Sequence, residues 1–318
     1  MIMGSRLLGN GGIFLSLLLL PAALLAQSTT LTGIVVEATS GQPVPFATVE
    51  IRARHSGVQA TEAGTFVLEL PGQLAATDSV RVTSLGFAAR MLPLPLPSPC
   101  RLALSPLPIS LAEVVVRPSR SKPVRVGPSE KGEKFGFSNG KLAAQGSKGW
   151  QVARQFANVP PGSIQAVAFY VKPNRNCGKN TMSAPFRVRV YAADGPGGSP
   201  GTDLLTSSVI TAATSSGWHE VDLVPFQLQI PTAGFFVAME WLYTSPDFGC
   251  EYTTYVAETH EKKMAYNYGQ AIGGYLDDAP ALSWYLTAGY PWQPFKSRPP
   301  YPDKSNMNAA IQAIVQPY

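Results

Sequence analysis

Apolar and polar residues alternate with a period of two in short runs along most of this chain. At 46–51, Phe46, Thr48 and Glu50 fall on one face and Ala47, Val49 and Ile51 on the other. Successive side chains of a strand point to opposite faces of its sheet, so the run predicts a strand. Residues 65–70 repeat the pattern with Phe66, Leu68 and Leu70 on one side. Further strands are predicted at 31–36, 78–84 and 111–116, with turn clusters at 39–43 and 62–64. Gly41 and Gly64 stand where tight turns need a positive φ. The stretch 91–108 holds too many prolines for a central strand and should follow an edge or the surface. Phe46, Phe66 and Phe87 are the candidate aromatic core of this first unit.

The pattern resumes at 166–171 and 186–191, where Phe186, Val188 and Val190 oppose Arg187 and Arg189. It continues at 209–210, 218–224, 235–242, 264–268 and 308–315. About eight short strands of this kind predict a second, jelly-roll-like sandwich over 158–318. Trp218 and Trp241 lie inside the predicted strands and read as core. Between the two units, 118–157 is rich in Gly, Ser, Lys and Pro and reads as a linker.

Composition agrees with an all-β chain. The 318 residues carry 29 Gly and 29 Pro, and only 14% are charged. Globular proteins average about 25% charged residues. So few charges, with so many turn formers, argue against bundles and coiled coils. The formal net charge of +5 owes much to 117–154, where nine Lys or Arg face Glu130 and Glu133. No nucleic-acid-binding motif accompanies this stretch, so it reads as a solvated linker and not as a nucleic-acid site.

The first residues predict export. Arg6 precedes an apolar run at 13–20, then Pro21 and a small-residue site ending at Ala26, so 1–26 reads as a signal peptide cleaved before Gln27. No later apolar run approaches the ~18 residues of a spanning helix. Export makes a disulfide permissible for Cys100, Cys177 and Cys250. Cys177 and Cys250 both lie in turn-like loops that follow strands of the second sandwich, whereas Cys100 belongs to the first unit. The expected bond is Cys177–Cys250 with Cys100 free; the alternative is three free thiols.

Residues of the first unit carry a resemblance. Gly33-Ile-Val-Val36, Gly41-Gln-Pro-Val-Pro-Phe-Ala-Thr-Val49, Thr61-Glu-Ala-Gly-Thr-Phe66, Asp78-Ser-Val-Arg-Val-Thr-Ser-Leu-Gly-Phe87 and Leu111-Ala-Glu-Val-Val-Val116 follow one another in order. Residues 28–117 thereby resemble the carboxypeptidase regulatory-like domain. That resemblance implies a transthyretin/Ig-like β-sandwich without catalysis, of a kind found in gram-negative envelope proteins. Too few residues follow for the outer-membrane barrel that often accompanies similar modules. The expected location is therefore periplasm or cell surface.

Chemistry is sparse. His55, His219 and His260 are the only histidines, and neither His219-Glu220 nor His260-Glu261 continues into a zincin motif. No nucleophile elbow or phosphate loop occurs, and nothing calls for a metal or cofactor. Asp222, Glu240 and Glu251 are candidate carboxylates for a glycan-active hydrolase, the alternative reading, which needs two at a set separation. The stronger candidate is the aromatic stretch near the C-terminus. Trp284, Tyr290 and Trp292, with Asp277 and Asp278 just upstream, could stack on sugar rings and accept hydroxyl hydrogen bonds. The same rings could instead cover one end of the sandwich. The expected function is a non-enzymatic binding or structural-interaction protein of the envelope, with a glycan or another envelope protein as partner.

Overall fold

The computed structural model describes residues 29–70, 72, 74–107, 121–129, 132, 135–139, 142–143, 146–147, 149–175, 177, 179–255, 259, 261–277, 280–296 and 306–318. The predicted signal peptide, the strand expected at 111–116, His260 and Asp278 lie outside them. The first unit contains β1 (Thr29–Glu37), β2 (Thr48–Ile51), β3 (Ser56–Gln59), β4 (Thr65–Leu70), β5 (Ser79–Thr83), β6 (Arg90–Pro93) and β7 (Cys100–Leu104). The second contains β8 (Val124–Val126), β9 (Phe135–Asn139), β10 (Leu142–Ala143), β11 (Gly146–Ser147), β12 (Gln151–Phe156), β13 (Gly162–Lys172), β14 (Phe186–Ala192) and β15 (Val209–Thr211). It continues through β16 (Gly217–Asp222), β17 (Phe235–Trp241), β18 (Gly249–Tyr255), β19 (Lys262–Asp277), β20 (Ser283–Leu286), β21 (Gln293–Pro294), β22 (Asn306–Ala309) and β23 (Ile311–Pro317). Helical structure among the described residues is confined to short 3-10 turns, so the chain is all-β.

The first unit packs the sheet β4-β1-β7 against the sheet β3-β2-β5-β6. The β4 alternation buries Phe66, Leu68 and Leu70 against Val49, Ile51, Val80 and Val82 of the facing sheet. Both strands of the proline-rich stretch, β6 and β7, are edge strands, as a residue type without a ladder donor requires. Gly41 and Gly64 take φ of 70° and 74°, a region only glycine enters freely. Phe87 is partly buried against this core, but Phe46 is not in it. Phe46 precedes β2, has a φ of 56°, and lies under the Arg187 guanidinium of the second unit at 5.8 Å.

The second unit packs the sheet β15-β14-β17-β12-β20-β21 against a sheet built on β18-β19-β13-β23-β8. Phe186, Val188, Val237, Met239 and Trp241 from one sheet meet Val167, Phe169, Ile272 and Ile311 from the other. Trp241 is wholly buried, and its indole Nε1 donates to the Gln270 carbonyl at 2.9 Å. Trp218 is not core: β16 pairs Trp218 with Tyr170, on the face opposite buried Phe169, and the two rings meet edge-on at 5.5 Å.

The stretch expected to be a linker supplies strands to this sandwich. β8 pairs with β23, β9 with β19, and β12 lies between β17 and β20. Arg154 hides the alternation of β12. It lies on the same face as Val152 and Phe156 and is buried, with Nη1 donating to the Ala309 carbonyl and its guanidinium over Tyr275 at 5.5 Å. Cys177 and Cys250 form a disulfide with Cα atoms 5.2 Å apart, and Cys100 is a buried free thiol.

Candidate functional site

In a sandwich facing water, the outward row of each strand is polar and solvated. Here two outward rows face each other. The first unit presents Thr48, Glu50, Gln59, Arg81 and Thr83; the second presents Gln151, Arg187, Arg189, Tyr191 and Glu240. Glu50 is 3% exposed, Arg187 3% and Glu240 1%. Charges this deeply buried need partners, because desolvation otherwise costs several kcal/mol each.

The partners cross the junction in both directions. Glu240 of the second unit accepts from Gln59 Nε2 of the first at 3.1 Å. Its other oxygen lies 3.3 Å from Arg187 Nη1 and 3.1 Å from Arg189 Nη1. Glu50 of the first unit accepts from the Gly289 backbone N–H of the second at 2.8 Å. Its Oε1 takes Arg52 Nε at 2.9 Å and Arg81 Nη1 at 2.7 Å. Each unit therefore lends the other a buried carboxylate. The backbones also touch: a Cβ on Gly57 would stand 2.6 Å from the carbonyl carbon of Ala288. Leu85 of the first unit is part of the second core.

Beside these contacts the two units leave a cleft of about 250 Å³. Arg52, Arg81, Arg187 and Arg189 line it, with Tyr191 and Trp292 opposite Phe46 and Thr48. Trp292 packs edge-on against Tyr191 at 5.6 Å. Burial raises the Tyr191 phenol, which stays neutral and donates to Gln151 Oε1 at 2.8 Å. At the inner wall Arg189 pairs with Asp203 at 2.6 Å. Burial raises the Asp203 carboxyl, while the Arg189 charge opposes that shift. Burial also works against the Arg189 charge, but the Asp203 and Glu240 carboxylates around it outweigh this and hold it firmly cationic. Beyond that pair lies a second, apolar cavity of about 240 Å³ with Leu85, Phe87 and Leu205 in its wall.

The predicted site residues divide. Trp292 is in the cleft. Tyr290 stands near the junction, stacked on His55 of the first unit at 4.8 Å and 40% exposed. Trp284 is not in the cleft: it packs edge-on against Phe236 on the outer face of its sheet, at 6.1 Å. Asp277 pairs through its backbone with Asn306 at the end of β19. Of the candidate carboxylates, only Glu240 reaches the junction. Asp222 is exposed at the end of β16 and accepts from the Val224 N–H, and Glu251 is exposed on β18, so the three do not share a surface. His219 sits beside Thr211 Oγ1 at 2.9 Å, with its ring edge-on to Phe186.

The arginines and Tyr191 were missed as site residues. The signal in the sequence was the Arg187, Arg189, Tyr191 row along β14, but its partner rows on β2 and β5 belong to another unit, far upstream in the chain. No protein-family model matches the chain, and no curated protein matches it.

Proposed function

We propose that this chain is a non-enzymatic binding protein of the cell envelope that takes a glycan in the cleft between its two sandwiches. The observation that carries the reading is the composition of that cleft. Trp292 offers aromatic surface, backed by the buried Tyr191; the Thr48 and Thr83 hydroxyls and Gln151 stand near it, and guanidinium donors close the floor. Sugars need this combination, because their rings have apolar faces and hydroxyl edges. The carboxylates of the cleft are already engaged by arginines, which supports binding over turnover. The predicted signal peptide and the carboxypeptidase regulatory-like resemblance of 28–117 support the envelope as the location.

A glycan array with the mature protein tests the reading. Wild type should bind a defined class of glycan without converting it. Trp292→Ala should weaken that binding about tenfold or more, as loss of an aromatic anchor does, while Trp284→Ala should leave it within about twofold. Binding that ignores Trp292, or appearance of cleaved product, would contradict the proposal.

A further inference from the structure

The cleft is unevenly charged. Four arginines line it, and the carboxylates of Glu50, Asp203 and Glu240 neutralise three of them. The surplus sits at the outer end. Arg52 is 59% exposed and Arg81 29% exposed along their side chains, and both converge on one oxygen, Glu50 Oε1. Arg52 reaches that oxygen through Nε and Arg81 through Nη1, so each guanidinium keeps further N–H donors that Glu50 does not use. Guanidinium forks bind planar carboxylates in pairs of parallel hydrogen bonds, and a lysine or hydroxyl cannot reproduce this. Trp292 lines the same cleft as these donors, so one ligand can meet both. At about 250 Å³ the space falls below the roughly 300–1,000 Å³ of pockets for drug-sized ligands. It suits one or two sugar rings, such as a chain end.

Resting on the glycan reading above, we infer that the ligand is an acidic saccharide: a uronic-acid unit whose ring lies against Trp292 and whose carboxylate is taken by Arg52 and Arg81. The arginines of the inner wall are fixed by Glu240 and Asp203 and hold the site in shape. The outer pair supplies the selection for charge.

Titration calorimetry of the mature protein with a short oligogalacturonate and with its methyl-esterified counterpart tests this. The acid should bind, and the neutral ester should bind about tenfold more weakly or worse. Binding of the acid should weaken as salt rises from about 0.05 to 0.5 M, because the outer arginines are partly in solvent. Arg52→Gln and Arg81→Gln should each lower affinity for the acid about fivefold or more and leave the ester unchanged. Arg52→Gln should melt with wild type, since its side chain is largely exposed; Arg52→Lys should fail to restore full affinity. Equal binding of acid and ester would overturn the charge inference and leave the glycan reading standing. Binding of neither would overturn this inference, with the glycan reading then judged by the array. Unchanged affinity in both arginine variants would also overturn it.

Discussion

The inner and outer ends of the cleft are built from the same residue types and differ in burial. At the inner end Glu240 holds Arg187 and Arg189, whose side chains are 4% and 14% exposed, and Gln59 from the other unit. At the outer end Glu50 holds Arg52 and Arg81, 59% and 29% exposed, and the Gly289 N–H. Both carboxylates are buried, but the outer arginines are far more open to solvent than the inner ones. An ion pair out of water is a strong constraint, since removing one partner strands the other charge. A partly solvated arginine keeps N–H donors open to water, through which it can take another anion. The same Glu–Arg pairing thus acts as a fastening at one end and as a receptor at the other.

The largest effect should come from breaking the fastening. Glu240→Ala leaves Arg187 buried without its carboxylate and should cost about 3–5 kcal/mol in urea denaturation. Loss of less than about 1 kcal/mol would mean the inner end is not as dry as its burial implies. A smaller effect should follow from prising the units apart without touching a charge. Gly57→Val puts side-chain atoms where Ala288 stands and should cost about 1–3 kcal/mol, as overpacking does. Small-angle scattering should then show a longer particle. An unchanged profile together with an unchanged midpoint would show that the contact is not tight.

The smallest effect concerns protons. Asp78 lies in the first unit, where the Arg54 guanidinium and the Ala75 N–H hold its carboxyl below the ordinary 3.8. A depressed carboxyl contributes stability above its unfolded value, and that contribution is lost as pH falls through the folded one. Burial raises Asp203 in the cleft, so its sign is opposite: stability is present below the unfolded value and lost as pH rises through the folded one. Asp78→Asn should therefore flatten the acid side of the stability profile, and Asp203→Asn should flatten the loss on the rising side. Profiles that both match wild type would contradict these environments.

Much of the fold was legible because alternation survives wherever one face of a strand is dry. The strand at 65–70 was readable to the residue, and the edge placement of 91–108 followed from proline alone. The Cys177–Cys250 bond was legible because both cysteines belong to one unit and Cys100 to the other, although Cys250 lies in β18, paired with Asn267, and not in the expected loop. β12 was not, because Arg154 occupies a core-facing position and makes an apolar row look polar. The site was legible only in part. Trp284 and Trp292 look alike in sequence, yet Trp284 falls on a strand face that covers Phe236 and Trp292 follows a turn into the cleft. Phe46, Glu50 and Arg187 read as ordinary positions of single strands. Their meaning comes from two outward faces meeting, and no periodicity within either strand encodes that.

A crystal structure of the mature protein with the strongest binder from the glycan array tests the central claim most directly. The account predicts a sugar ring against Trp292, with its acidic substituent within hydrogen-bond distance of Arg52 or Arg81 and the Glu240 contacts unchanged. A glycan bound elsewhere, with the cleft between the sandwiches empty, would contradict it.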